Sequence, residues 1–407
     1  MSVPLSRRAI LTAGSGVVAG LALPGTASAL PGGDRAVGFV LDARVLDGGE
    51  QVVSLTLGTA RLGRIDPASV TPGTFGVHVT ATSPIPGAAG YDLDRTVTAA
   101  RLDRRGDLVL ELAHGEGVPG GSTLGWLSSG GRNVRLDLAY TITQHAPVTL
   151  RGGRPLTIAR FTQGPLANPE VDAFSYHASA SGLKYRLFTP HQAASRRPLI
   201  VWLHGGGEGA SLPNGYYDNE TTLRANRGAL GFATPEAQKI FSGAYVVAPQ
   251  STSFWMEDGP RFAPLIHEVI AEVSRSHRVD PSRIYVAGCS NGGYMSLKMT
   301  TVYPGLFAAS IPVCGVVMPL GGGTTPLITD AELAAISTPT WLVTSLDDTT
   351  VPPQPNTVHA ASLIPGAELT LYDQVVWNGY RFPGHWSWIY LARNDKPFWQ
   401  WMSRQRR

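Results

Sequence analysis

The pentapeptide Gly288-Cys289-Ser290-Asn291-Gly292 sets a serine between glycines two residues before and two after it. A sharp strand-to-helix turn of that spacing holds the serine in a strained conformation and lets neighbouring backbones close in on it. The hydroxyl is then presented beside a helix N-terminus, which favours developing negative charge. The apolar run "IYVAG" precedes the motif and the helix-forming "GGYMSLKMTTVYP" overlaps and follows it, which is the setting a nucleophilic serine requires. Attack on an acyl carbon further needs a base, a carboxylate that orients the base, and N–H donors for the oxyanion.

Candidates for each lie in the order Ser, acid, His that this arrangement uses. Two histidines follow Ser290. His359 falls in "PNTVHAASLI", a helical stretch where a surface or packing role is expected. His385 falls in "FPGHWSW", a Gly/Pro-bearing loop between the last strand and the closing helix, from which an imidazole can reach the serine. For the acid, "TWLVTS" runs into Asp347-Asp348, and spacing alone leaves both open. The oxyanion donors expected are the N–H of Asn291 and one from the glycines of "LHGGGEG", Gly206 first and Gly207 second, where a backbone without Cβ can approach a ligand. His204 is expected to hold this loop. No Lys-Ser/Thr follows these glycines, so a phosphate loop is excluded. Trp255 and Trp386 could line a substrate pocket or serve as core. The chemistry calls for neither a metal nor another cofactor.

The elements that must position these residues change character along the chain. From about residue 171 to 407, apolar strand-like runs ("PLIVWLHGG", "YVVAPQ", "RIYVAGCS", "PTWLVTSLDD") alternate with helical segments. That alternation predicts a mostly parallel sheet with helices on both faces. Residues 34–165 instead show period-two runs such as "VSLTL", "FGVHV", "LVLEL" and "VRLDLAYTI", separated by turn clusters, and predict an all-β sandwich, immunoglobulin-like in broad architecture. No cluster of catalytic residue types stands out in that half, and Trp126 reads as a packing or surface residue.

Residues 1–29 read as a twin-arginine-type signal peptide: Arg7-Arg8 precede a Gly/Ala-rich apolar run that ends in Ala27-Ser28-Ala29. The mature chain is therefore expected to be secreted or extracytoplasmic. Its removal takes two arginines and no acid from a formal charge of +3. A near-neutral remainder has no basic field for nucleic acid, and no later run is long and apolar enough for a membrane span. The two cysteines, Cys289 and Cys314, either pair or remain buried thiols.

As an ordered set, "WLHGGGEG", "VVAPQ", "GCSNGGYMS", "DDTTVPP" and "PGHWSW" resemble the α/β-hydrolase esterases grouped with prolyl-oligopeptidase-like and polyhydroxybutyrate-depolymerase-like hydrolases. The resemblance covers 171–407 and implies a serine carboxylic-ester hydrolase acting through an acyl-enzyme on short-chain or aryl esters. An extracellular polyester depolymerase is the alternative and a serine peptidase a remoter one. It also places the acid on Asp348, the aspartate of D-x-x-V-P. The first half, through "PGTFGVHV", is similar to the immunoglobulin-like domain that precedes some of these esterases. About 130 residues cannot form the propeller of prolyl oligopeptidases proper.

Overall fold

The computed structural model describes residues 36–191, 195–210 and 217–407. The export segment expected at 1–29 lies outside them.

Eight strands form the central sheet, in the spatial order Phe174–Ala178, Lys184–Phe188, Tyr245–Pro249, Arg197–Leu203, Val279–Cys289, Ala309–Val313, Trp341–Ser345 and Glu368–Tyr372. The first pair is an antiparallel hairpin, Lys184–Phe188 runs antiparallel to Tyr245–Pro249, and the remaining neighbours are parallel. Its inner strands carry buried, largely apolar runs such as 199–203 and 284–289 because both faces are covered there. Trp202 and Ala287 point into one core with Phe232 and Trp399, while Val201 and Val286 point into another with Phe262 and Met295. Helix Gly259–Ser276 and helix Asn291–Val302 supply much of the second core, and helix Phe398–Arg404 closes the first.

The amino-terminal strands make two sheets around a shared core. The larger runs Arg160–Ala167, Ala36–Leu46, Gly49–Leu57, Leu108–Leu112, Val97–Leu102, and the smaller runs Tyr91–Arg95, Phe75–Thr82, Asp137–Gln144. Alternate residues such as Val37, Leu55 and Leu110 meet Val77, Val79 and Ile142 between them. One pairing departs from an all-antiparallel pattern: Ala36–Leu46 is parallel to Arg160–Ala167. A second departure bears on the site. The run read as one strand at 134–142 is broken at Leu136, whose N–H donates to the Thr123 carbonyl at 2.9 Å. The residues before the break, Arg132–Arg135, leave the sheet and pair with Leu124–Leu127 as a separate hairpin.

Buried charges join the two parts. The Glu50 carboxylate is fully enclosed and accepts from Thr123 Oγ1 at 2.7 Å, Asn168 Nδ2 at 2.6 Å and the Arg224 guanidinium. Arg224 also pairs with Glu220, which in turn pairs with Arg186. Arg227 holds Glu170 and the Val45 carbonyl, and Arg393 forms a two-pronged pair with Asp47 at 2.8 and 3.0 Å. Charges buried this way hold a geometry only while every partner is present.

Candidate active site

Ser290 sits between strand Val279–Cys289 and helix Asn291–Val302 with φ 55° and ψ −116°, a left-handed conformation that costs a non-glycine residue about 1–3 kcal/mol. Its N–H is held by the Val313 carbonyl at 2.8 Å, and its carbonyl accepts from Tyr294 at 3.0 Å. The flanking glycines are required by contact. A Cβ on Gly288 would lie 2.5 Å from the Gly292 carbonyl oxygen, and one on Gly292 would collide with the Leu203 and His204 carbonyls.

His385 occupies a short turn, Gly384–Trp386, that the ends of two sheet strands hold down. Ser345 Oγ donates to the Gly384 carbonyl at 2.6 Å, and Cys314 Sγ to the His385 carbonyl at 3.3 Å. The imidazole Nδ1 meets Asp348 Oδ2 at 2.8 Å, and the other Asp348 oxygen accepts the N–H groups of Thr350 and Val351 at 2.9 and 2.8 Å. Asp347 faces elsewhere, with Oδ1 2.8 Å from Ser345 Oγ and Oδ2 paired with Arg381. Burial disfavours the imidazolium of His385, while the adjacent Cys314 sulfur and the Asp348 carboxylate favour it, and the net shift is upward from 6.5. Cys314, Asp348 and His385 bring ligand-type atoms within 4.8 Å of one another, but both Asp348 oxygens are already engaged as described.

The glycine loop after strand Arg197–Leu203 is fastened from behind. His204 Nε2 accepts the Ser251 N–H at 3.0 Å, so Nδ1 carries the ring proton and donates to the Gly205 carbonyl at 2.6 Å. Burial drives the His204 pKa down to about 3 and keeps the ring neutral. One peptide further on, Arg132 Nη1 donates to the Gly206 carbonyl at 2.8 Å. Glu208, at the end of the loop, is buried, and burial raises its pKa to about 7. The Asn291 side chain accepts the Met256 N–H at 3.0 Å, which ties the elbow to the loop carrying Phe254.

A cavity of about 430 Å³ collects Ser290, His385, Gly206, Gly207, Glu208, Phe254, Trp386 and Trp388. A second hollow of about 410 Å³ on the other flank shares Ser290, Gly206 and Phe254 and adds Asn291, Met256, Leu320 and Leu327. Ser290 thus borders both recesses.

Of the expected site residues, Ser290, Gly206, His385 and Trp386 border the first cavity and Asn291 the second, while Asp348 holds the imidazole from below. Trp255 does not belong with them. Its indole is fully buried beneath the loop, donating to the His204 carbonyl at 3.1 Å, tilted against His204 and edge-to-face with Phe262, and its neighbour Phe254 takes the cavity position. His359 binds Asp330 at the surface. Cys289 and Cys314 are buried free thiols. The amino-terminal half, which shows no catalytic signal in sequence, reaches the cavity with Trp126, Gly131 and Asn133 from the separate hairpin and with Asp47 and Gly48. Glu208 carried a local clue, as the one acid following the glycines of "HGGGEG"; Arg132 and Asn133 carried none.

The sequence pattern of the prolyl oligopeptidase family matches residues 266–334. A poly(3-hydroxyalkanoate) depolymerase C of Paucimonas lemoignei is 34% identical over 174 residues, 40% of this chain and 37% of that protein. An acetylxylan esterase A of Emericella nidulans is 29% identical over 133 residues, 32% of this chain and 42% of that protein. The chain therefore spans under half the length of either relative. Among solved structures, a thermostable esterase superposes with a TM-score of 0.75 at 24% identity, over 91% of this chain and 99% of that one. The fold is that of the α/β-hydrolases.

Proposed function

We propose that the chain is a serine carboxylic-ester hydrolase. The observation that carries this reading is the short His385–Asp348 bond beside a serine in the strained elbow conformation, both on one cavity. Relatives described as ester-cleaving enzymes support it.

Ser290 Oγ attacks the ester carbonyl carbon while His385 Nε2 takes its proton, and Asp348 holds the Nδ1 proton and stabilises the imidazolium. The carbonyl oxygen becomes an oxyanion that accepts from the Asn291 N–H and a glycine-loop N–H. Collapse breaks the bond to the alcohol, which leaves with the proton from His385. Water repeats the sequence on the acyl-enzyme, releasing the carboxylic acid and restoring Ser290. Short-chain and aryl esters suit the first cavity, where Phe254, Trp386 and Trp388 offer flat apolar walls.

A polyester depolymerase is the second reading. It draws on the 34% relative and on Trp126, half exposed at the cavity, as an aromatic that a polymer surface could meet. The reading includes export through the twin-arginine-type segment at 1–29, and treats 34–165 as an immunoglobulin-like domain ahead of a hydrolase domain at 171–407.

Hydrolysis of p-nitrophenyl esters from acetate to palmitate tests it, with Ser290→Ala alongside. Cleavage of short chains that disappears in the variant is expected. Cleavage only of polyester particles would favour the depolymerase reading, and cleavage only of peptide amides would overturn the esterase.

A further inference from the structure

Three consecutive glycines, Gly205-Gly206-Gly207, have the least intrinsic reason of any residues to keep one conformation. Yet an oxyanion site works only if its N–H groups are fixed before the charge develops. In a planar trans peptide the carbonyl and the N–H point in opposite directions, so gripping one aims the other. His204 grips the Gly205 carbonyl and thereby sets the N–H of Gly206. The next peptide, Gly206–Gly207, is gripped by Arg132.

Arg132 comes from the hairpin Leu124–Leu127/Arg132–Arg135, 74 residues earlier in the chain and outside the central sheet. Its side chain is completely buried, with the guanidinium 3.3 Å above the Phe254 ring. Burial lowers its pKa to about 10, against the pull of Glu257 and Glu208, so it stays a cation at neutral pH. The adjacent Asn133 Nδ2 lies 3.5 Å from Glu208 Oε1, and a Cβ on Gly207 would come within 2.9 Å of that nitrogen. The hairpin is therefore seated on the loop at Gly206, Gly207 and Glu208 together.

We propose that Arg132 is a positioning residue for the oxyanion site: by holding the Gly206 carbonyl it orients the Gly206–Gly207 peptide, so that the amino-terminal sheets complete the active site of the hydrolase. The proposal rests on the esterase reading above. It also gives the break at Leu136 a purpose, since Arg132–Arg135 pair beyond it with Leu124–Leu127 in a separate hairpin that reaches the loop.

The test compares Arg132→Met, Arg132→Lys and Arg132→Ala with wild type on p-nitrophenyl acetate, and measures inhibition by a trifluoromethyl ketone, which traps the oxyanion as a hemiketal. Arg227→Met, which loosens the same interface at Glu170 and Val45, reports what a purely structural lesion does. Arg132→Met should lower kcat between about 10- and 100-fold with KM little changed, and weaken the ketone by a similar factor. Arg132→Lys should fall between, and millimolar guanidinium should restore part of the kcat of Arg132→Ala. Folded Arg132→Met with kcat and ketone affinity within twofold of wild type would overturn the proposal. So would losses that follow melting temperature as they do in Arg227→Met, without guanidinium rescue. A wild type that cleaves no ester would instead overturn the esterase reading, and this one with it.

Discussion

His385 and Asp348 meet through Nδ1 and Oδ2 at 2.8 Å, while the neighbouring Asp347 is turned toward Ser345 and Arg381. Two adjacent acids on one loop thus have different partners and different expected weights in catalysis. Asp348→Asn should lower kcat by about 10⁴-fold, as loss of the orienting carboxylate does elsewhere. Asp347→Asn, whose pair with Arg381 is solvent-exposed, should cost no more than about tenfold. Steady-state kinetics of the two variants check the assignment, and equal losses would contradict it.

The raised pKa of His385 fixes the sign of the pH dependence. The base works only as neutral imidazole, so activity falls as pH drops through its pKa. Since that value lies above 6.5, the acid limb of kcat/KM should have its midpoint above pH 6.5. A profile on p-nitrophenyl acetate reads it directly, and a midpoint below 6.5 would contradict the shift.

Glu208 should reveal itself in stability rather than in rate. Its pKa rises from 4.5 in the unfolded chain to about 7 in the fold, because burial disfavours the carboxylate. The native state therefore binds a proton that the unfolded state releases. Stability is fully present below pH 4.5 and is lost as pH rises through about 7, by roughly 3 kcal/mol in all. Glu208→Gln removes that penalty, so its melting temperature relative to wild type should be higher at pH 8 than at pH 5. A difference that does not change with pH would count against a buried, neutral Glu208.

The enclosed Glu50 carboxylate is the hub that ties the amino-terminal sheets to Arg224. Glu50→Ala strands the Asn168 and Thr123 donors and leaves Arg224 with Glu220 alone. A loss of about 3–5 kcal/mol is expected in denaturant unfolding. The partner change Arg224→Met should cost a similar amount, and a loss below 1 kcal/mol for both would show that the interface does not depend on this pair.

The elbow at Ser290 and the loop of His385 were readable from the chain because each is a local pattern: close glycines around a serine, and a histidine in a Gly/Pro turn after the last strand. Asp348 was harder, since adjacent aspartates look alike until their hydrogen bonds are seen, and only the family resemblance separated them. Trp255 was left open between pocket and core for a related reason. A short window shows an aromatic near a site loop but not whether its ring lies under that loop or beside the substrate. The mostly parallel, doubly covered sheet followed from apolar runs that alternate with helical segments, though the order of its strands did not. The break at Leu136 did not, because period two continues through it, and with it went the approach of Arg132, Asn133 and Trp126 to the cavity. Contacts 74 residues apart in sequence leave no trace in spacing.

The claim that Ser290 is the nucleophile is tested most directly by covalent capture. Wild type incubated with a diethyl phosphate ester that phosphorylates nucleophilic serines should gain one diethylphosphoryl group by intact mass, mapping by peptide sequencing to Ser290, with simultaneous loss of p-nitrophenyl acetate hydrolysis. Ser290→Ala should gain none. An adduct on another residue, or activity surviving full modification, would contradict the mechanism.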